Sequence, residues 1–532
     1  MSPSSDVVLV QLDKLQAAKL SPDLLADIKG LQELQSSWIA EIPRSLLTTL
    51  SGRGVACGVL DEAPAGKAYF LVFTPQPGQA DILKKFGNAI VLEERTCLFW
   101  SGAEEARDIL PSYFEIKRLS LEDGIPLSFE KIRPKGRLPE RLEIPRAAAD
   151  PLISQMVSQV SKANLTNYIS NLQNFQTRYA STANCESSGT YLYNYFTQLG
   201  LACEYDPFSF SQSGYSSRNV VATILGKTSP DREVIICAHY DSYSNQKITL
   251  APGADDNGSG TAAVMEIARI FAGQAFDFTL KFICFSAEEW GLYGSQHYAR
   301  TAKNQGEKII GVINMDMVAF TDRLPPDLEV YVNSRSEWLA GRYIQAANTY
   351  APLRMEEVID ASADWSDHSS FWDEDYSALC SIEEASDRNP YYHKTTDTLD
   401  KLNMDFAVSV TKASLAAAAE LAQPIGTLAA PTGLQAHSQI SSSLFSSIKT
   451  VYLGWNVSPG SINGYNIYRS TTSHSGYHKV NSALVSQTSF VDRYLSPDVF
   501  YYYVVTAVDA QGRESNYSTE VRDDEDNKKT YS

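Results

Sequence analysis

The 532-residue chain is short of several things, and each shortage excludes something. No apolar run approaches the ~20 residues that cross a bilayer as a helix, so no membrane span is expected. No basic tract interrupts the formal net charge of −18, which argues against a nucleic-acid partner. The opening MSPSSDVVLVQLDK has neither the basic start nor the long apolar core of a signal peptide. Cysteine is scarce and odd in number, seven in all, so not every one can pair within a single chain. Cys237 and Cys284 fall inside apolar runs and read as small core residues. A helix from about Ser187 to Gln198 would hold its ends ~18 Å apart, which argues against a Cys185–Cys203 disulfide. What is present, 43% hydrophobic and 20% charged residues, describes an ordinary soluble protein. At this length two or three domains are expected.

Composition shifts divide the chain. Residues 1–130 read as a small α/β domain with strands at Val7–Leu12, Ala68–Phe73, Ala89–Leu92 and Leu98–Trp100. Helical patterns fall around Pro22–Gln35, Ala80–Phe86 and Ala103–Leu110. This segment holds no histidine and no acidic or cysteine cluster, so it is either a packing module or an inhibitory prosegment. Residues 131–151 form a linker whose prolines deny it a helix and whose basic residues, Arg133, Lys135, Arg137, Arg141 and Arg146, suit trypsin-like cleavage. Residues 152–427 mix helical and strand patterns. From 429 to 521 the helical patterns stop and short alternating strands appear, with Tyr501, Tyr503, Val505 and Ala507 on one face, which predicts a β-sandwich. Residues 522–532 are expected to form a disordered tail.

The chemistry concentrates between Glu233 and Glu289. Residues 233–238 and 278–285 are short β-branched and aromatic runs that suit buried parallel strands. Between them, residues 258–272 carry apolar positions at helical spacing, giving strand–helix–strand. Ligands collect beyond the carboxyl ends of such strands. His239, Asp241, Asp255, Glu288 and Glu289 all fall there. Imidazole and carboxylate in these numbers suit zinc. In His239-Tyr-Asp241 the period of two puts both groups on one side, histidine to ligate and aspartate to hold its other ring nitrogen. In the loop Gly-Ala-Asp-Asp-Asn-Gly-Ser-Gly, a carboxylate at Asp255 is placed to bridge two ions. Glu288-Glu289 offers one group to ligate and one to act as a base. Asp316 ends an apolar strand, where a charge is costly unless paired or metal-bound. His393 lies in a polar loop with Asp397 four residues on. Any one of these pieces is ordinary alone: a surface pair, a solvated turn, a helix N-terminus that favours negative charge. Their succession after buried strands is not.

With AHYDS, GADDNGSG, SAEEWGLYGS, NMDM and YYHKTTDT in that order, residues 152–427 resemble the M28 family of zinc aminopeptidases, and within it the secreted bacterial Aeromonas and Streptomyces branch. The resemblance implies an α/β fold with a central mixed sheet flanked by helices, and two zinc ions. It implies that Asp255 bridges them, that His239 and Asp316 complete one site, and that Glu289 and His393 complete the other. Asp241 would orient His239, and Glu288 would be the general base. A cis peptide bond is implied after the bridging residue, at Asp255–Asp256. The expected substrates are peptide or protein N-termini, with the side-chain pocket built from loops 243–250 and 321–327. The expected location is extracellular. Residues 429–521 resemble fibronectin type III domains, with Trp455 and Tyr501 in the signature positions, and such a domain can bind a surface or polymer. Two other readings fit parts of the pattern: a one-zinc glutaminyl cyclase on the same scaffold, and a non-catalytic adhesion protein. The DDNGSG continuation argues against the first and the complete ligand set against the second.

Overall fold

A computed structural model describes residues 7–34, 36–74, 78–101, 106–111, 113–121, 125–127, 149–210, 214–321, 326–351, 353–383, 389–424, 429–442, 447–458, 462–508 and 514–523. The basic positions of the linker and most of the expected tail lie outside these residues. The chain divides into two compact units, one of residues 1–143 with 156–422 and one of residues 144–155 with 423–532.

Among its described residues the first segment supplies nine strands: β1 Val7–Asp13, β2 Lys29–Glu33, β3 Ser37–Pro43, β4 Cys57–Asp61, β5 Ala68–Phe73, β6 Asn88–Val91, β7 Thr96–Ser101, β8 Glu115–Leu119 and β9 Ile125–Pro126. They form two antiparallel sheets, ordered β4-β1-β3-β2-β9 and β6-β7-β5-β8. One expectation needs correcting. The helical pattern around Pro22–Gln35 is a helix only over Pro22–Ala26, and Lys29–Glu33 is a strand. Pairing with β3 overrides the local propensity there. At Gly30 an added Cβ would lie 2.4 Å from Leu127 Cδ2, so a larger residue there would have to push that side chain aside.

The second segment is built on an eight-stranded sheet: β10 Ala202–Phe210, β11 Tyr215–Ile224, β12 Ser229–His239, β13 Phe278–Phe285, β14 Lys308–Met315, β15 Asp327–Val332, β16 Arg354–Ile359 and β17 Ala378–Glu383. Their order is β10-β11-β13-β12-β14-β17-β15-β16. The central run β13-β12-β14-β17 is parallel, and antiparallel pairs flank it, so the sheet is mixed as expected. The strand–helix–strand reading holds: β12 and β13 lie side by side and parallel, joined through the helix Gly258–Phe271. Thirteen of that helix's fourteen residues are buried, so it sits inside the fold rather than on it. Edge strand β10 escaped the sequence reading because its charged and polar residues hide the alternation.

In the other unit β18 Gln435–Ser442, β19 Ser447–Gly454 and β22 Ser489–Leu495 form one sheet. The other holds β20 Gly464–Ser470, β21 His478–Lys479, β23 Tyr502–Val508 and β24 Val521–Arg522. Trp455, Tyr465, Tyr501, Tyr503, Val505 and Ala507 share its core. The Tyr501 hydroxyl accepts the Ser496 N–H at 3.2 Å, tying this side chain to backbone. All seven cysteines are unpaired, Cys185 and Cys203 among them.

Candidate active site

Three adjacent parallel strands deliver the site. β12 ends on His239, β14 is followed at once by Asp316, and β13 is followed by the turn carrying Glu288 and Glu289. The loop before the helix Gly258–Phe271 brings the central carboxylate. Asn257 caps that helix: its side chain accepts the Gly260 N–H at 2.9 Å and donates to the Met315 carbonyl at 2.9 Å. This fixes the loop against the end of β14.

The carboxylate at the centre belongs to Asp256, not Asp255. Asp256 Oδ1 lies 3.4 Å from His239 Nε2, and its Oδ2 lies 3.1 Å from His393 Nε2. The cis peptide bond is likewise one residue later than expected, at Asp256–Asn257. Asp255 is turned away and fully engaged: Oδ1 accepts the Ala319 N–H at 3.0 Å and Oδ2 accepts the Asn389 amide at 2.9 Å. The physical reason lies far along the chain. Asp397 accepts the N–H groups of both Asp255 and Asp256, at 3.0 and 3.1 Å, and so sets which carboxylate faces inward. Burial pushes the Asp255 carboxyl up to about 6.

Two groups form around Asp256, one with His239 and Asp316 and the other with Glu289 and His393. Within each, one potential ligand atom per residue lies within 4.8 Å of the others. Asp316 Oδ1 is 3.4 Å from His239 Nε2, and Glu289 Oε2 is 2.9 Å from His393 Nε2. His239 Nδ1 faces the Asp241 carbonyl at 3.2 Å and its carboxylate at 3.6 Å. Asp241 also accepts the N–H groups of Glu288 and Glu289, at 3.2 and 3.3 Å, a task the sequence did not suggest. Glu288 belongs to neither group; its Oε2 stands 3.9 Å from His239 Nε2. His393 stacks on Tyr392, with ring centres 3.8 Å apart, and meets Tyr243 edge-on. A cavity of about 880 Å³ lies alongside, walled in part by Met317 and Tyr392, the chain neighbours of Asp316 and His393. None of loop 243–250 lines it, and most of loop 321–327 lies outside the described residues.

These residues fit a pair of divalent cations. Asp256 Oδ2, both oxygens of Glu289 and Asp316 Oδ1 are buried yet accept no well-formed hydrogen bond, an expensive arrangement unless a cation completes it. Burial opposes charge on His239, but Glu288 and Asp316 outweigh it and hold the imidazole well above its ordinary pKa. His393 is raised in the same way, against its burial, by Glu289 and Asp256. Metal binding replaces such protons.

Residues 219–418 match the family model described as peptidase family M28. A leucine aminopeptidase 1 of Paracoccidioides brasiliensis is 34% identical over 184 residues, 32% of this chain and 46% of that protein. A probable zinc metalloprotease of Pyricularia oryzae is 29% identical over 248 residues, 38% and 49% of the two chains. The chain thus spans about half the length of these two relatives. A probable leucine aminopeptidase of Arthroderma otae is 30% identical over 290 residues, 51% of this chain and 75% of that protein. On that match and on the family model, the chain belongs to peptidase family M28.

Proposed function

We propose that the chain is a zinc-dependent aminopeptidase that removes N-terminal residues from peptides. The observation that carries this is the Asp256 carboxylate, with one oxygen toward His239 and the other toward His393. His239, Asp256 and Asp316 would hold one ion, and Asp256, Glu289 and His393 the other. When bound, such a pair polarises the scissile carbonyl and makes a water acidic near neutral pH. Glu288 would take a proton from the attacking water and return it to the leaving amine. Burial, opposed by His239 and reinforced by Glu289 and Asp316, pushes its carboxyl above the ordinary range. Asp241 holds the backbone of that turn through two N–H groups. The density of carboxylates favours a substrate's free ammonium terminus.

Within the family we place the chain in the secreted Aeromonas and Streptomyces branch, as its motif order suggests, and read residues 429–521 as a fibronectin type III-like domain able to engage a surface or polymer. The test is Glu288→Gln in the whole chain. It should keep two zincs per chain by elemental analysis and lose about 10²–10⁴-fold in hydrolysis of leucyl-p-nitroanilide. Wild-type turnover in that variant removes Glu288 from its role. One zinc per chain with pyroglutamate formation would favour the glutaminyl cyclase reading.

A further inference from the structure

The turn that follows β13 is held in an unusual conformation. Ala287, Gly291 and Leu292 all have positive φ, at 57°, 119° and 64°. Two of them are not glycine, and such residues persist in that region only where their surroundings over-determine them. Within the turn, the Gly291 and Leu292 N–H groups donate to the Glu288 carbonyl at 2.8 and 2.9 Å. Asp241 takes the N–H groups of Glu288 and Glu289. Residues of the first segment engage the carbonyls of Glu289 and Gly291.

Arg107 Nε donates to the Glu289 carbonyl at 2.5 Å, while its Nη1 donates to the Phe114 carbonyl at 2.9 Å. The guanidinium is only 1% exposed; Nη2 lies 3.9 Å from Glu289 Oε2, and the group sits 4.9 Å from the Tyr243 ring centre. On β8, the Arg118 N–H donates to the Gly291 carbonyl at 3.0 Å, and the Gln296 side chain returns a bond to the Arg118 carbonyl at 2.9 Å. A Cβ at Gly291 would lie 3.0 Å from the Arg118 nitrogen, so the approach needs glycine on both counts, φ and space. The turn is therefore gripped on its N–H side by Asp241 and on its carbonyl side by the N-terminal domain.

We propose that Arg107 is a positioning residue for the turn that carries Glu288 and Glu289, so that the N-terminal domain is a working part of the active site. The proposal rests on the reading of Glu289 as a zinc ligand and Glu288 as the base. It opposes the prosegment reading, in which losing the domain's grip raises activity. A fixed planar fork that bonds two carbonyls and faces a carboxylate is a task for arginine that lysine does in part. Partners of this kind around a metal ligand typically contribute 10–100-fold to metal affinity or activity.

The experiment compares Arg107→Met, Arg107→Lys and Gln32→Ala in the full chain. Gln32 bonds Asp364 and Asp373 across the same domain contact without touching the turn. Three quantities are read: the dissociation constant of the weaker zinc by chelator competition, kcat and KM on leucyl-p-nitroanilide, and the melting temperature. In Arg107→Met the weaker zinc should loosen about 10–100-fold and kcat fall by a similar factor with KM nearly constant. Arg107→Lys should recover part of both. Gln32→Ala should lower the melting temperature and leave zinc affinity and kcat within about twofold. Unchanged zinc affinity and kcat in Arg107→Met overturn the proposal, as do equal losses in Gln32→Ala. A rise in kcat overturns it in favour of an inhibitory plug. If Arg107→Met does not fold, wild-type zinc affinity in Arg107→Lys overturns it. Failure of wild-type protein to bind zinc sinks the proposed function instead, before any variant is compared.

Discussion

On each flank of the segment that carries the site lies a smaller set of sheets, and each set buries a lysine against a carboxylate. In the N-terminal domain Lys117 meets Asp373 at 2.8 Å, with Asp364 at 3.7 Å. In the C-terminal sandwich Lys449 meets Asp523 at 3.0 Å. The chemistry is the same, but the ownership differs. Asp364 and Asp373 belong to the catalytic segment, whereas Asp523 belongs to the sandwich itself, where it also accepts the Tyr501 N–H at 2.7 Å. The first lysine is an interface and the second is internal. The same contrast holds for apolar packing: Trp365 of the catalytic segment packs against the N-terminal cluster of Leu9, Tyr69 and Leu98, whereas the sandwich core is drawn from residues 434–521. A domain's place in the sequence thus says little about its part in the chemistry; where its buried charges find partners says more.

The largest expected effect comes from breaking each lysine pair. Lys117→Met and Lys449→Met should each cost about 3–5 kcal/mol of unfolding free energy, because each strands a buried carboxylate. The comparison is sharpened by which transition moves. Calorimetry should show Lys117→Met lowering the melting of the catalytic unit. Lys449→Met should lower a separate transition and leave zinc and kcat alone. A shift of the zinc-bound transition by Lys449→Met would break the contrast. The smallest effect is expected from a chain ending at residue 427, which should keep its zinc and a kcat within about twofold on small substrates, since domains with their own core fold independently. A folded but inactive truncation would make the sandwich part of the site.

Much of this was legible in the sequence, for reasons that can be named. The second half of β12, the helix Gly258–Phe271 and β13 are buried, so their apolar runs are clean and the ligand-bearing ends stand out. The sandwich showed itself by alternation. The choice between Asp255 and Asp256 was not legible, because two adjacent acids in a glycine-rich loop have no period to separate them. The choice is made by Asp397, Asn389 and Ala319, all far along the chain. Arg107 and Glu115 were invisible for a related reason. They sit in a segment with no ligand chemistry of its own, and only the tertiary fold brings Arg107 to Glu289 and Glu115 to the Tyr392 hydroxyl. The strand Lys29–Glu33 was lost to helix because its partner, not its composition, decides its state.

The central claim is that Asp256 joins two metal positions. Zinc per chain, measured by elemental analysis on wild type, Asp256→Asn and Asp255→Asn purified side by side, tests it most directly. The account predicts two zincs in the wild type, fewer than two in Asp256→Asn because a neutral amide bridges cations poorly, and two in Asp255→Asn. Two zincs retained in Asp256→Asn with loss in Asp255→Asn would contradict it.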